Sequence, residues 1–156
     1  MKTEIGIRAA TPEDIPIILR HRREMFRDMG FTDPAVHEAL GHLTERYFED
    51  AFQQGTFHGW FAVDAAGTIV GGGGVAEIAL PPGPFSPTPA RPEILNVFVE
   101  PAYRRQGIAR RLMEVMIEWC RERGFSSVFL HASDEGRPLY ASMGFQPTPE
   151  MRLRFK

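Results

Sequence analysis

The residues with the clearest chemistry lie between Val97 and Leu112. An apolar, strand-like run, Val97-Phe98-Val99, is cut by Pro101 and followed by a basic turn, Tyr103-Arg104-Arg105-Gln106-Gly107. Beyond it Ile108, Leu112, Val115 and Trp119 recur at three- and four-residue spacing, the period of one helix face. The chemistry such a stretch offers is anion binding. The first turn of a helix carries N–H groups without intrahelical acceptors, together with the positive end of its dipole. Gly107, lacking a side chain, lets a ligand reach the backbone at that point. Arg104, Arg105, Arg110 and Arg111 surround it with positive charge. A strand, a turn and a helix in this order form a phosphate cradle on physical grounds alone.

Arg104-x-x-Gly107-x-Ala109 also resembles the (Arg/Gln)-x-x-Gly-x-(Gly/Ala) signature of the GNAT superfamily of acyl-CoA-dependent N-acetyltransferases. A second block, Leu139-Tyr140-x-x-x-Gly144-Phe145, is similar to that family's Leu-Tyr-x-x-x-Gly-Phe. The resemblance covers roughly residues 57–146 well, and residues 1–56 match only in the order of their elements. The resemblance implies that acetyl-CoA is the co-substrate. It would lie along Val97, Phe98 and Val99, with its pyrophosphate on the turn formed by Arg104, Arg105, Gln106, Gly107, Ile108, Ala109 and Arg110. It also implies that Tyr140 protonates the departing thiolate. The alternative for Tyr140 is a hydroxyl that anchors its own helix.

Where the family commonly has a cofactor-contacting asparagine, seven residues before the tyrosine, this chain has Ser133. Its reach is shorter, and Asp134 and Arg137 are the nearest substitutes. Glu93, eleven residues before Arg104, matches the strand position from which some branches supply a glutamate base. Beside Pro92 it also reads as a solvated strand-end acid. By the same register Val97 N–H would polarise the thioester carbonyl. Asn96 either faces the acceptor or is an ordinary strand residue.

Acetyl transfer to an amine requires removal of the amine's proton, a donor to the carbonyl oxygen, and a proton for the thiolate. No covalent enzyme intermediate is needed, and the chain shows no serine-triad motif. Its single cysteine, Cys120, falls among helical residues beside Trp119 and reads as a small core residue, with no partner for an internal disulfide. His37 and His42 are five apart, a spacing that does not place both on one metal, and His21 and His58 read as surface or partly buried residues. No metal site is expected.

The elements that must position these groups follow from periodicity. With 156 residues and 43% hydrophobic content the chain has the size of one domain, residues 1–156, with a core of its own. Strands are expected over 4–10, 57–64, 68–80, 93–99, 126–131 and 151–155. One helix begins at Thr11-Pro12-Glu13-Asp14 and another at Asp33-Pro34, each with proline at its first position. The first presents Ile15, Ile18, Leu19, Met25, Phe26 and Met29 on one side. Arg22 falls on that same side, either as a stem laid flat with its guanidinium in water or as a substrate contact. The second presents Val36, Leu40, Leu43, Tyr47, Phe48 and Phe52 as its buried face. A short helix precedes Gly144.

The order implies an α+β or α/β sandwich. The resemblance sharpens this to a mixed, mostly antiparallel sheet of six to seven strands, with helices on both faces and a splayed central parallel pair. Gly71-Gly72-Gly73-Gly74 inside a strand reads as a closely approached or bulged strand flooring the active-site cleft. A nucleotide loop there is a poor reading, since no helix pattern or Gly-Lys-Ser/Thr follows. The proline-rich stretch 81–92 is a surface loop that would border the acceptor side, with Phe85 as lid or core cover.

Net charge −2 argues against nucleic acid as the main partner, and no apolar run approaches membrane-spanning length. A cytoplasmic protein is the default expectation, with a homodimer possible by family habit. The expected function is transfer of an acetyl group to a primary amine of unspecified identity. The rival is a non-catalytic module that binds or senses acyl-CoA.

Overall fold

In the computed structural model, which describes residues 4–156, five strands form one sheet in the order β1-β2-β3-β4-β5. They are β1 (Gly6–Ala9), β2 (Phe57–Val63), β3 (Ile69–Ala79), β4 (Ala90–Val99) and β5 (Phe129–Leu130). The first four pair antiparallel and β4–β5 is parallel. Helices α1 (Ile15–Asp28) and α2 (Pro34–Gln54) cover one face, and α3 (Ile108–Glu122) covers the other with α4 (Arg137–Ser142). The mixed sheet with helices on both faces is as expected. The strand count is five, short of six to seven, and the parallel pair stands at the sheet edge.

The missing strand is the C-terminal one. Met151, Leu153 and Phe155 alternate as a strand would, yet residues 145–156 form no ladder and all three side chains are exposed. Alternation states a preference for one face of a sheet; it supplies no partner strand.

Local chemistry sets the boundaries. Asp33 caps α2 by accepting the Ala35 N–H at 3.0 Å, and Gly55 closes it at φ +71°. Asp14 accepts the Thr11 N–H at 2.8 Å and takes both guanidinium N–H donors of Arg8 at 3.0 Å, joining β1 to the start of α1. Asp64 accepts from Ala66 and Thr68 N–H, tightening the expected β2–β3 hairpin.

The glycine run is closely approached, as expected, but it does not floor the cleft. A Cβ on Gly74 would stand 2.4 Å from the Phe57 ring, on Gly72 2.9 Å from Phe61, and on Gly71 2.8 Å from the Phe98 carbonyl. On the opposite face Gly73 meets Met116 of α3 at 3.0 Å. The room the glycines leave is taken by Phe57 and Phe61 of β2 and by the β4 backbone, and at Gly72 and Gly73 also by His21 of α1 and Met116 of α3. His21 uses this space: it is 1% exposed, against Phe61 and Phe98, and so more deeply buried than the surface or partly buried residue expected. Cys120 is a core residue, and burial pushes its thiol up to about 11.

Two apolar stripes also depart from expectation. In α2 only Phe48 and Ala51 are fully buried, whereas Val36, Leu40, Leu43 and Tyr47 are exposed. The N-terminal half of α2 projects past the core. In α1, Ile15, Ile18 and His21 face the core, while Met29 is exposed. Strand β4 starts at Ala90, three residues early, because Leu80 N–H and Pro89 carbonyl close the β3–β4 connection at 2.9 Å. Pro92 pairs opposite Glu77 inside the ladder. No helix among the described residues is long and apolar enough to cross a membrane.

Candidate active site

Strands β4 and β5 pair only at Glu93↔Phe129 and Ile94↔Leu130. Past that point β4 bulges. Gly72 and Gly74 of β3 face Phe98 and Leu95, so β4 carries one residue more than its partner across this interval. The extra residue falls at Asn96, whose backbone is left-handed at φ +64°. Asn96 is 5% exposed and donates its side-chain N–H to the Ile18 carbonyl at 3.2 Å, which holds the bulge against α1. It lines the cleft and is no ordinary strand residue. The bulge turns the rest of β4 away from the line of β5, and a cleft of about 1350 Å³ opens between them.

This cleft gathers nearly all of the residues expected to act. Glu93, Val97, Phe98, Val99, Arg104, Arg105, Gly107, Ile108, Ala109, Arg110, Ser133 and Tyr140 line it, and Gln106 does not. Gln106 is exposed in the turn just outside. At one end Gly107 stands at the head of α3 with φ +79°, a conformation glycine adopts without strain. A Cβ there would meet no protein atom within 4 Å, so the space above it is open. The first helical bond of α3 runs from Arg111 N–H to the Gly107 carbonyl at 3.1 Å. The N–H groups of Ile108, Ala109 and Arg110 therefore have no acceptor within the helix. That set of donors fits a diphosphate.

The arginines divide their work. Arg104 is not a free cation, since its Nε–H donates to the Val99 carbonyl at 2.8 Å and its Nη2 bonds Asp28 at 2.7 Å. It braces the turn against β4 and α1. Arg110 donates to Ser142 Oγ at 2.7 Å and ties α3 to α4, while Arg111 reaches the Ile5 carbonyl at 2.6 Å and is absent from the cleft. Ser133 Oγ accepts the Gly136 N–H at 3.1 Å, which fixes the turn before α4 and leaves its own O–H free to donate. Asp134 and Arg137, the suggested substitutes, do not line the cleft, whereas Glu135 does.

Tyr140 is half-buried. A Cβ on Gly136 would stand 2.8 Å from its ring, so this glycine makes the room in which the ring lies. Its hydroxyl has no hydrogen-bond partner among the described residues, which removes the helix-anchor reading. Burial raises its pKa, so the hydroxyl stays protonated through neutral pH.

At the other end Glu93 is shielded on β4, and His131 Nε2 lies 3.6 Å from its carboxylate and 3.6 Å from that of Glu150. His131 lines the cleft and was missed in the sequence, where it appears only as the last residue of a short strand. Arg22, Met25, Phe26, Leu43 and Tyr47 complete this end. Part of the apolar stripes that leave the core thus walls the cleft: Met25, Phe26 and Met29 from the first helix region and Leu43 and Tyr47 from α2, but not Val36 or Leu40. The proline-rich loop contributes no lining residue. Phe85 is 93% exposed and its carbonyl accepts from Ser126 Oγ at 2.9 Å, so it is neither lid nor core cover. No group of three His, Cys, Asp or Glu side chains among the described residues is placed to hold a metal ion.

The site is thus a bulged strand splayed from a parallel neighbour, with a helix N-terminus facing the gap. The model of the acetyltransferase (GNAT) family matches residues 20–145. The uncharacterized N-acetyltransferase YjgM of Escherichia coli is 27% identical over 143 residues, covering 90% of this chain and 81% of that protein. A GCN5-related N-acetyltransferase from Ralstonia eutropha superposes with a TM-score of 0.88 at 32% identity, over 97% of this chain and 99% of that one. A predicted acetyltransferase from Clostridium acetobutylicum, solved with acetyl-CoA, also gives a TM-score of 0.88, at 27% identity over 98% and 96% of the two chains. The chain belongs to the GNAT family of acetyltransferases.

Proposed function

We propose that this enzyme moves an acetyl group from acetyl-CoA to a primary amine by direct attack while both are bound. The observation that carries the reading is the continuity of one cleft. It runs from the unpaired amides at the head of α3, past the unpartnered Tyr140 hydroxyl, to Glu93. The pyrophosphate lies on the N–H groups of Ile108, Ala109 and Arg110, with Arg105 adding charge at the rim. Val97 sits in the interruption of the β3–β4 ladder and beyond the last β4–β5 pair. Its N–H points the thioester carbonyl and stabilises the oxygen as charge develops.

Glu93 accepts the proton of the attacking amine, directly or through water, and His131 beside it passes that proton toward solvent. The new N–C bond forms as the C–S bond breaks, and Tyr140 gives its proton to the departing sulfur. No enzyme nucleophile takes part, in keeping with the one thiol being buried and protonated.

The test is a thiol-release assay of the purified protein with acetyl-CoA and a mixed panel of amines, run beside Glu93→Gln. Amine-dependent release by the natural protein, with the variant slowed about a hundredfold, is the expected result. A protein that binds acetyl-CoA yet releases no thiol with any amine contradicts the reading and would instead be a sensing module.

A further inference from the structure

We propose that Arg22 recognises a carboxylate on the acceptor, so that the substrate is an amine of amino-acid type; this rests on the transfer reading above. Arg22 projects from α1 into the cleft end beyond the bulge. Its guanidinium lies over the Phe26 ring at 4.9 Å, and one N–H approaches Asn96 Oδ1 at 3.5 Å. The Asn96 amide is committed through its other end to the Ile18 carbonyl, so its oxygen is held toward Arg22. The arginine is oriented by fixed neighbours and is no loose surface stem.

No carboxylate among the described residues lies within 4.0 Å of it. Asp28, the acid nearest in the chain that also lines the cleft, is taken by Arg104 at 2.7 Å. Burial without a counter-ion is costly for a cation. It lowers the pKa of Arg22 below its usual value, and the group remains charged at neutral pH. A charged fork held half-buried, facing a cavity and lacking an anion, is built for an anion that arrives with the substrate. The planar guanidinium matches a carboxylate in two parallel bonds. A phosphate would call for further donors, and the neighbours Met25, Phe26 and Tyr47 offer few.

The opposite charge is close by. Asn96 stands three residues along β4 from Glu93, at most about 10 Å of extended strand. Glu93 and Arg22 therefore line the same end of the cleft, where an acceptor carrying both an amine and a carboxylate meets both. The apolar walls between them suit an aliphatic or aromatic side chain.

The experiment compares leucine and phenylalanine, each beside its carboxamide, as acceptors for the full chain with acetyl-CoA. The natural protein is expected to show a KM about tenfold or more lower for the free acid. In Arg22→Gln this ratio falls to near one, and in Arg22→Lys part of it returns. Unchanged acetyl-CoA affinity in both variants shows that they are folded. Equal use of acid and carboxamide by the natural protein, or a ratio that survives in Arg22→Gln, overturns the inference while leaving acetyl transfer intact. Binding of N-acetyl-leucine and its carboxamide to the coenzyme A complex, measured by calorimetry, decides the carboxylate site independently of turnover. A preference for the acid that Arg22→Gln abolishes supports it, and no preference overturns it.

Discussion

Asn96 donates its side-chain N–H to the Ile18 carbonyl at 3.2 Å, and this bond fastens the bulge of β4 to α1. The residue does two things at once. It tolerates φ +64° better than most side chains, and it fills a hydrogen bond that would otherwise be lost in the core. Asn96→Ala is expected to cost about 2–3 kcal/mol, from the lost hydrogen bond and a left-handed alanine; the Ile18 carbonyl keeps its bond within α1. Asn96→Gly removes only the backbone part and should recover about 1 kcal/mol of that loss. Urea denaturation of the three proteins measures both. Equal stability of the alanine and glycine variants would show that the backbone at this position is not strained.

Tyr140→Phe keeps the ring that fills the space over Gly136 and removes only the hydroxyl. Acetyl-CoA affinity should stay within about twofold while kcat falls about a hundredfold. Because burial raises the tyrosine pKa, the acid form persists into alkaline pH. The natural enzyme should therefore hold its rate there, losing it only as the hydroxyl ionises. A phenylalanine variant with unchanged kcat would remove Tyr140 from the chemistry.

His21 makes stability depend on pH in a definite window. Burial first, then the charge of Arg20, lowers its pKa from 6.5 to about 4, against the opposing pull of Glu100. Between those values the unfolded chain binds a proton that the folded chain refuses. Stability is therefore full above 6.5 and lost as pH falls toward 4. The natural protein should lose roughly 2 kcal/mol more than His21→Leu between pH 7 and pH 4.5. Parallel denaturation curves for the two proteins at both pH values would contradict this.

How much of this was legible beforehand differs from residue to residue. The open amides at the head of α3 were readable because Gly107 and the helix period are contiguous, whereas the structural bonds of Arg104, Arg110 and Arg111 were not, since their partners lie far along the chain. The cap at Asp33 was likewise visible, since a cap acts within three residues; at the first helix Asp14, read only as a first-turn acid, accepts the Thr11 N–H. The bulge at Asn96 was not, because an extra residue in β4 is defined only against β3. Leu43 and Tyr47 read as core because an apolar stripe looks the same whether it faces a sheet or walls a cleft. His21 carried no signal of burial, since the room it occupies is made by Gly72, fifty-one residues away. Met151, Leu153 and Phe155 alternate without a strand to join.

The glycine run yields a graded expectation. Gly74→Ala drives a Cβ into Phe57, which is itself enclosed by Phe48 and Phe52, and should cost about 1–3 kcal/mol. Gly73→Ala meets the flexible end of Met116 at 3.0 Å and, in ordinary contact, Val97 at 3.4 Å, and should cost less. Thermal melting of both variants orders them, and the reverse order would contradict the close packing described for this strand.

In the proposed reaction the amides at the head of α3 hold the diphosphate of coenzyme A. Calorimetric titration of coenzyme A into the natural protein and into Gly107→Val tests it most directly. A Cβ at residue 107 touches no protein atom within 4 Å, so the variant should fold, with a backbone cost of about 1–2 kcal/mol at φ +79°. Its affinity for coenzyme A should fall at least about tenfold. Equal affinity in the two proteins would contradict it.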